Sequence, residues 1–132
     1  PSPGEKYALI AAVAEMVGRM HRAGVNHRDC YLCHFLLRQG AGEPAQALAL
    51  IDLHRAQVRA ATPRRWRDKD LAALYFSALD IGLTRRDKLR FLSRYFARPL
   101  SEILSAEASL LAWLEREAVR LLARYRKYEG RL

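Results

Sequence analysis

The stretch His27-Arg28-Asp29-Cys30-Tyr31-Leu32-Cys33-His34-Phe35-Leu36-Leu37 decides the fold, because it passes from a polar loop into an apolar run. That run, His34-Phe35-Leu36-Leu37, is answered by a second, Leu48-Ala49-Leu50-Ile51, which ends at Asp52. Gly40-Ala41-Gly42-Glu43-Pro44 lies between them. Short apolar runs flanking a Gly/Pro segment predict a small β-hairpin. Antiparallel pairing brings the start of one strand to the end of the next. Asp29 and Asp52 are therefore expected at the same end of the hairpin.

Outward from the hairpin, the pattern is helical. Leu9, Val13, Met16, Val17 and Met20 recur at three- and four-residue steps, which predicts a helix over residues 5–23. Gly24 suits the left-handed position just past its end. Downstream, Pro63 forbids one continuous helix through the basic stretch Arg55 to Lys69. A helix with Leu71, Leu74, Tyr75, Ala78 and Leu79 on one face is expected from Asp68 to about Gly82. Thr84, with Asp87 three residues on, reads as the cap of another, closed by Pro99. Ser101 is the expected cap of a last long helix whose apolar stripe runs from Ile103 to Tyr125. The expected whole is a mainly α fold with a small β-hairpin, a single domain over residues 1–132.

Composition narrows the class. About half of the 132 residues are apolar, which argues against disorder. No apolar run reaches the roughly 18–20 residues that span a bilayer. The opening Pro1-Ser2-Pro3-Gly4 has none of the regions of a signal peptide and predicts a piece of a longer protein. A net charge of +9, from 23 Lys and Arg against 14 Asp and Glu, favours anionic partners. Cys30 and Cys33 make no disulfide framework, and reduced thiols in a cytoplasmic protein are the simpler expectation.

Two carboxylates converging at a strand end can divide the work of phosphoryl transfer. One orients and deprotonates a hydroxyl, and the other holds the Mg²⁺ that neutralises nucleotide phosphates. The spelling points the same way. His27-Arg28-Asp29 resembles the H-R-D catalytic loop of protein kinase-like enzymes, and Asp52-Leu53-His54 stands where D-F-G would be. Asp70 resembles the buried aspartate that braces that loop. Within the superfamily, His27 to Leu37 followed by Ile51-Asp52-Leu53-His54-Arg55 resembles the lipopolysaccharide core heptose kinases. The resemblance implies a kinase-like C-lobe that uses ATP and Mg²⁺ to phosphorylate inner-core heptose, in the cytoplasm and peripheral to the inner membrane. It implies a catalytic Asp29 flanked by Arg28 and His27, a metal-holding Asp52, and Leu36 and His34 beside the nucleotide. Arg55 and Arg59 are the expected acceptor contacts, since inner-core glycolipid carries phosphate and carboxylate. Kdo or a protein tyrosine are the alternative acceptors.

Three departures from the pattern matter. His34 replaces the kinase Asn, and Mg²⁺ prefers oxygen. Tyr31 replaces the lysine two residues after the catalytic Asp. The Gly-rich phosphate loop and the Val-Ala-Ile-Lys strand of an N-lobe are missing from the sequence, so this chain by itself is expected to have little activity.

Two readings come from other classes. Cys30-Tyr31-Leu32-Cys33-His34 spells the c-type haem motif C-x-x-C-H. It would need thioethers to both cysteines, and the simpler expectation is two small apolar residues packing around the loop. Charge alone would allow nucleic acid, but no nucleic-acid motif is present, so no specific nucleic acid is expected. Arg116, Arg120, Arg124 and Lys127 line one side of the last helix. They form either a solvated face or a patch for anionic lipid or a small acidic protein.

Overall fold

A computed structural model describes residues 2–38, 42–43 and 47–130. Helix α1 (Pro3–Arg22) begins two residues before the expected Glu5. Ser2 caps it, its Oγ accepting the Glu5 amide at 3.2 Å, and Pro3 needs no partner at the first helical position. Gly24 has φ +89°, as its place after the helix predicts. Its lack of a side chain is required twice over. A Cβ there would lie 1.9 Å from the Arg59 carbonyl oxygen, and the Gly24 carbonyl accepts the Arg59 amide at 2.8 Å.

The single expected hairpin is two nested antiparallel ladders. Strand β2 (Phe35–Leu37) pairs with β3 (Leu48–Leu50), placing Phe35 opposite Leu50 and Leu36 opposite Ala49. Outside it, β1 (Val25–Asn26) pairs with β4 (Gln57–Val58), Asn26 opposite Gln57. His34 drops out of the expected strand into a short 3-10 turn, Leu32–His34. Of the expected connection at 40–44, only Gly42 and Glu43 fall within the described residues.

Helix α2 (Arg64–Ser77) starts directly after Pro63, four residues earlier than the expected Asp68. Proline fixes φ near the value a helix needs, so it begins the helix rather than delaying it. Helix α3 (Arg85–Phe96) carries the expected capping box. Thr84 Oγ1 accepts the Asp87 amide at 3.0 Å, and Asp87 Oδ2 accepts the Thr84 amide at 2.9 Å. The expected final helix is two: α4 (Leu100–Ala106) and α5 (Ala108–Glu129), broken at Glu107. Pro99, not Ser101, precedes α4. The break has a packing cause, since α4 lies against α3 whereas α5 lies against α2.

Val17 of α1, Leu71 and Leu74 of α2, Leu92 and Tyr95 of α3, Ile103 of α4 and Leu110 and Leu114 of α5 meet in one buried cluster. Gly18 lets α1 and α3 close together, because a Cβ there would stand 2.7 Å from the Tyr95 carbonyl oxygen. A cavity of about 550 Å³ remains between the helices and the inner ladder. Phe35 and Leu37 line it and Leu36 does not, as strand alternation requires. Neither Asp29 nor Asp52 lines it.

Candidate active site

Nesting two ladders leaves two loops facing each other, residues 27–34 and 51–56, each pinned at both ends. Asp29 stands on the first and Asp52 on the second. Asp29 and Asp52 fall at the same end of the inner ladder, as the pairing of β2 with β3 requires.

Asp70, 2 % exposed, is the brace of the first loop. Its carboxylate accepts the amides of His27 at 2.8 Å and Arg28 at 2.9 Å, and pairs with His21 Nε2 at 2.8 Å. Buried amides left without partners would cost about 1–3 kcal/mol each. The brace also holds Arg28 at φ +74°, a left-handed backbone that side chains disfavour by about 1–2 kcal/mol. Asp70 lies in the second turn of α2, so a well-formed helix carries it. At the other end of the loop, the Leu32 amide donates to Ser77 Oγ at 2.8 Å.

His27 is fully buried. Its Nε2 donates to the Ile51 carbonyl at 2.9 Å and its Nδ1 accepts the Asp29 amide at 3.1 Å, a tautomer assigned from these partners. Expected among the catalytic residues, it sits behind the site as the tie between the two loops. Arg28 is exposed, its guanidinium turned toward the Trp66 ring. Leu36 is 47 % exposed on the face of β2 away from the cavity.

His34 bridges the loops a second time. Its Nδ1 donates to the Asp29 carbonyl at 2.7 Å, and its Nε2 lies 3.1 Å from Asp52 Oδ2. Both nitrogens lie beside oxygens of the two loops, so the ring is turned inward between them. Asp52 has φ +64°, a second strained residue in the site, and its other oxygen meets His54 Nδ1. His54 is a site neighbour that the sequence reading passes over, visible there only as the residue in the Gly position of D-F-G.

Arg55 is brought to Asp29 itself: its guanidinium lies 2.7 Å from Asp29 Oδ1. Asp29 Oδ2 is buried without a partner among the described residues. One oxygen of the carboxylate is thus anchored and the other is uncommitted. Arg59 lies apart from this pair, bonded to Asn26 Oδ1 at 2.9 Å and Gln57 Oε1 at 2.8 Å.

Cys30 is sealed in the core and Cys33 is exposed, so only one of the pair packs as expected. Burial pushes the Cys30 thiol well above its usual range, leaving it inert. With that thiol enclosed, the Cys30-Cys33 pair is not placed to supply the two thioethers of a haem attachment.

Among the described residues, no group of three or more His, Cys, Asp and Glu could hold a metal ion. Mg²⁺ bound with a nucleotide asks less, since phosphates and waters complete its shell around one or two carboxylates. Asp52, 39 % exposed at its side chain, fits that smaller requirement for one ion. No described helix is long and apolar enough to cross a membrane.

Residues 1–95 match the model of the "Lipopolysaccharide kinase (Kdo/WaaP) family". A lipopolysaccharide core heptose(I) kinase WaaP of Pseudomonas aeruginosa is 67 % identical, over 97 % of this chain and 48 % of that protein. A lipopolysaccharide core heptose(I) kinase WaaP of Escherichia coli K12 is 55 % identical, over 90 % of this chain and 46 % of that protein. A solved structure described as WaaP in complex with acyl carrier protein superposes with a TM-score of 0.83 at 70 % identity, covering 92 % of this chain and 51 % of that one. The chain spans about half the length of the curated relatives it matches. The mainly α architecture with its small antiparallel ladders is the expected kinase-like C-lobe.

Proposed function

This chain belongs to the lipopolysaccharide kinase (Kdo/WaaP) family, and from that premise we propose that it forms the catalytic C-lobe, one domain over residues 1–132, of an ATP-dependent kinase acting on an inner-core heptose hydroxyl of lipopolysaccharide. The observation that carries the reading is the His34 bridge, one imidazole joining the Asp29 main chain to the Asp52 carboxylate.

Asp29 orients the acceptor hydroxyl and takes its proton, while Arg55 pairs with its Oδ1. The hydroxyl oxygen forms a bond to the γ-phosphorus, and the bond to the β–γ bridging oxygen breaks, its electron pair leaving with ADP. Asp52 is the residue that would hold Mg²⁺, and the ion supplies charge neutralisation on the phosphates. His27 and His34 keep the loops in register. Leu36 gives an exposed apolar surface for the adenine. The N-lobe is supplied from outside the 132 residues.

The names of the relatives favour heptose over Kdo or a tyrosine as the acceptor. The acceptor places the enzyme at the cytoplasmic face of the inner membrane, as a peripheral protein. A second partner in this reading is a small acidic carrier protein, since the solved WaaP neighbour is in complex with acyl carrier protein. Arg116, Arg124 and Lys127 on α5 are exposed and have no acidic partner within salt-bridge distance among the described residues, so they could receive it.

The test uses the full-length enzyme. Asp29→Ala and Asp52→Ala should each lower kcat by about 10²–10⁴-fold while far-UV circular dichroism and the melting temperature stay near those of the native enzyme. Near-native turnover in either variant would remove that residue from the proposed chemistry.

A further inference from the structure

Trp66, in the first turn of α2, gathers four cations around its indole. The Arg65 guanidinium carbon lies 4.6 Å from the ring centroid, Lys69 Nζ 4.8 Å, Arg59 5.7 Å and Arg28 5.9 Å. Neighbouring arginines have acidic partners: Arg64 and Arg67 pair with Asp68, and Arg55 with Asp29. Among the described residues, none of the four cations on Trp66 lies within salt-bridge distance of a carboxylate. Arg59 gives its N–H groups to the neutral amides of Asn26 and Gln57. Four like charges on one ring repel one another, and the ring's attraction offsets only part of that. A bound anion would relieve the rest.

Position selects the anion. Arg28 immediately precedes Asp29, and its left-handed backbone sends its side chain to the indole while the Asp29 side chain turns to Arg55. An anion on Trp66 would therefore be held in part by Arg28, the residue that precedes the proposed proton acceptor in the chain. Guanidinium forks match carboxylate and phosphate in two parallel hydrogen bonds. We propose that the Trp66 platform is the docking site of the acceptor. It takes an anionic sugar, bearing carboxylate or phosphate, that neighbours the sugar whose hydroxyl is phosphorylated. This rests on the kinase reading of the Asp29 site.

The experiment compares the full-length enzyme with Arg65→Gln, Lys69→Gln and the double variant. The acceptor is a soluble inner-core oligosaccharide, used intact, with its carboxylates amidated, and with its phosphates enzymatically removed. Each single substitution should raise the acceptor KM roughly tenfold, and the double roughly a hundredfold. One modified acceptor should bind the native enzyme about as poorly as the intact one binds the double variant, and the double variant should no longer tell the two apart. Whichever modification does so identifies the anion. Affinity for a non-hydrolysable ATP analogue should not change, which also reports that the fold is intact. An unchanged acceptor KM would overturn the platform, as would a loss of nucleotide affinity. So would a loss seen only in binding to anionic lipid vesicles, with the soluble acceptor unaffected. If the native enzyme phosphorylated none of the acceptors, the kinase reading would fall first. Transfer indifferent to both substitutions would remove only the platform.

Discussion

A histidine whose two nitrogens both face acceptors is a tie, and His34 is one between Asp29 and Asp52. Protein kinases place an oxygen donor at that position, so the substitution reads from sequence as a loss. In three dimensions the imidazole gives the Asp52 carboxylate, the proposed metal ligand, a fixed partner. Groups that orient a metal ligand typically affect affinity or activity by about 10–100-fold. His34→Ala in the full-length enzyme should lower kcat within that range and raise the Mg²⁺ concentration needed for half-maximal rate. A variant with an unchanged Mg²⁺ requirement would show that Asp52 needs no tether. The residues named from sequence at this scale, Asp29, His34, Asp52 and Arg55, do come together. The direction of Arg55 was not legible, because spacing along the chain does not say where a long flexible side chain goes. Nor was the burial of His27, whose neighbours in sequence are polar.

Between elements, the outer ladder of β1 and β4 closes the site, and it left no sequence signal. Two strands of two residues each have no periodicity to detect. Gly24 was readable as a helix end, but its contact with Arg59 was not. Gly24→Ala should destabilise by about 3 kcal/mol in urea, since it combines a disfavoured φ with a backbone clash. Gly82→Ala is the control. It shares a positive φ but has nothing within 4 Å of the added Cβ, so it should cost only about 1 kcal/mol. Equal losses would mean that the approach of Gly24 to Arg59 carries no energy. The capping box at Thr84, by contrast, was legible to the residue, because its spacing is local. The Lys6 ammonium, 2.7 Å away, and the Thr84 amide and hydroxyl hold the Asp87 carboxyl below its usual range. Its contribution is therefore complete above pH ~4 and is lost as pH falls through the depressed folded value. Asp87→Asn should lose about 1–2 kcal/mol near pH 7, and the gap to the native protein should close as pH falls below the usual carboxylate range. A gap independent of pH would show that the carboxylate's charge is not what stabilises this cap.

Across the whole molecule, the inner ladder has only two strands among the described residues, and its surroundings stay uncovered. Leu36, Leu37, Ile51 and Leu53 are 41–51 % exposed, all within or just after β2 and β3. Exposed apolar side chains grouped along one pair of strands mark an interaction face. Here it borders the two loops that carry Asp29 and Asp52, the side on which an N-lobe and a nucleotide would sit. Helix periodicity in the sequence predicted the body of the fold, but an incomplete face has no periodicity of its own. The only sequence sign of it was what the chain lacks, a Gly-rich loop and a lysine-bearing strand. These two observations meet in one expectation for the isolated 132-residue chain. It should fold, bind an apolar dye such as anilinonaphthalene sulfonate, and show no ATP turnover above an Asp29→Ala background. The full-length enzyme should turn ATP over. Joining the proposed N-lobe should lower dye binding, because it would cover the leucines beside the inner ladder. Robust turnover by the isolated chain would mean that the phosphates are gripped by residues of this lobe, and the cations around Trp66 would then be the first place to look for them.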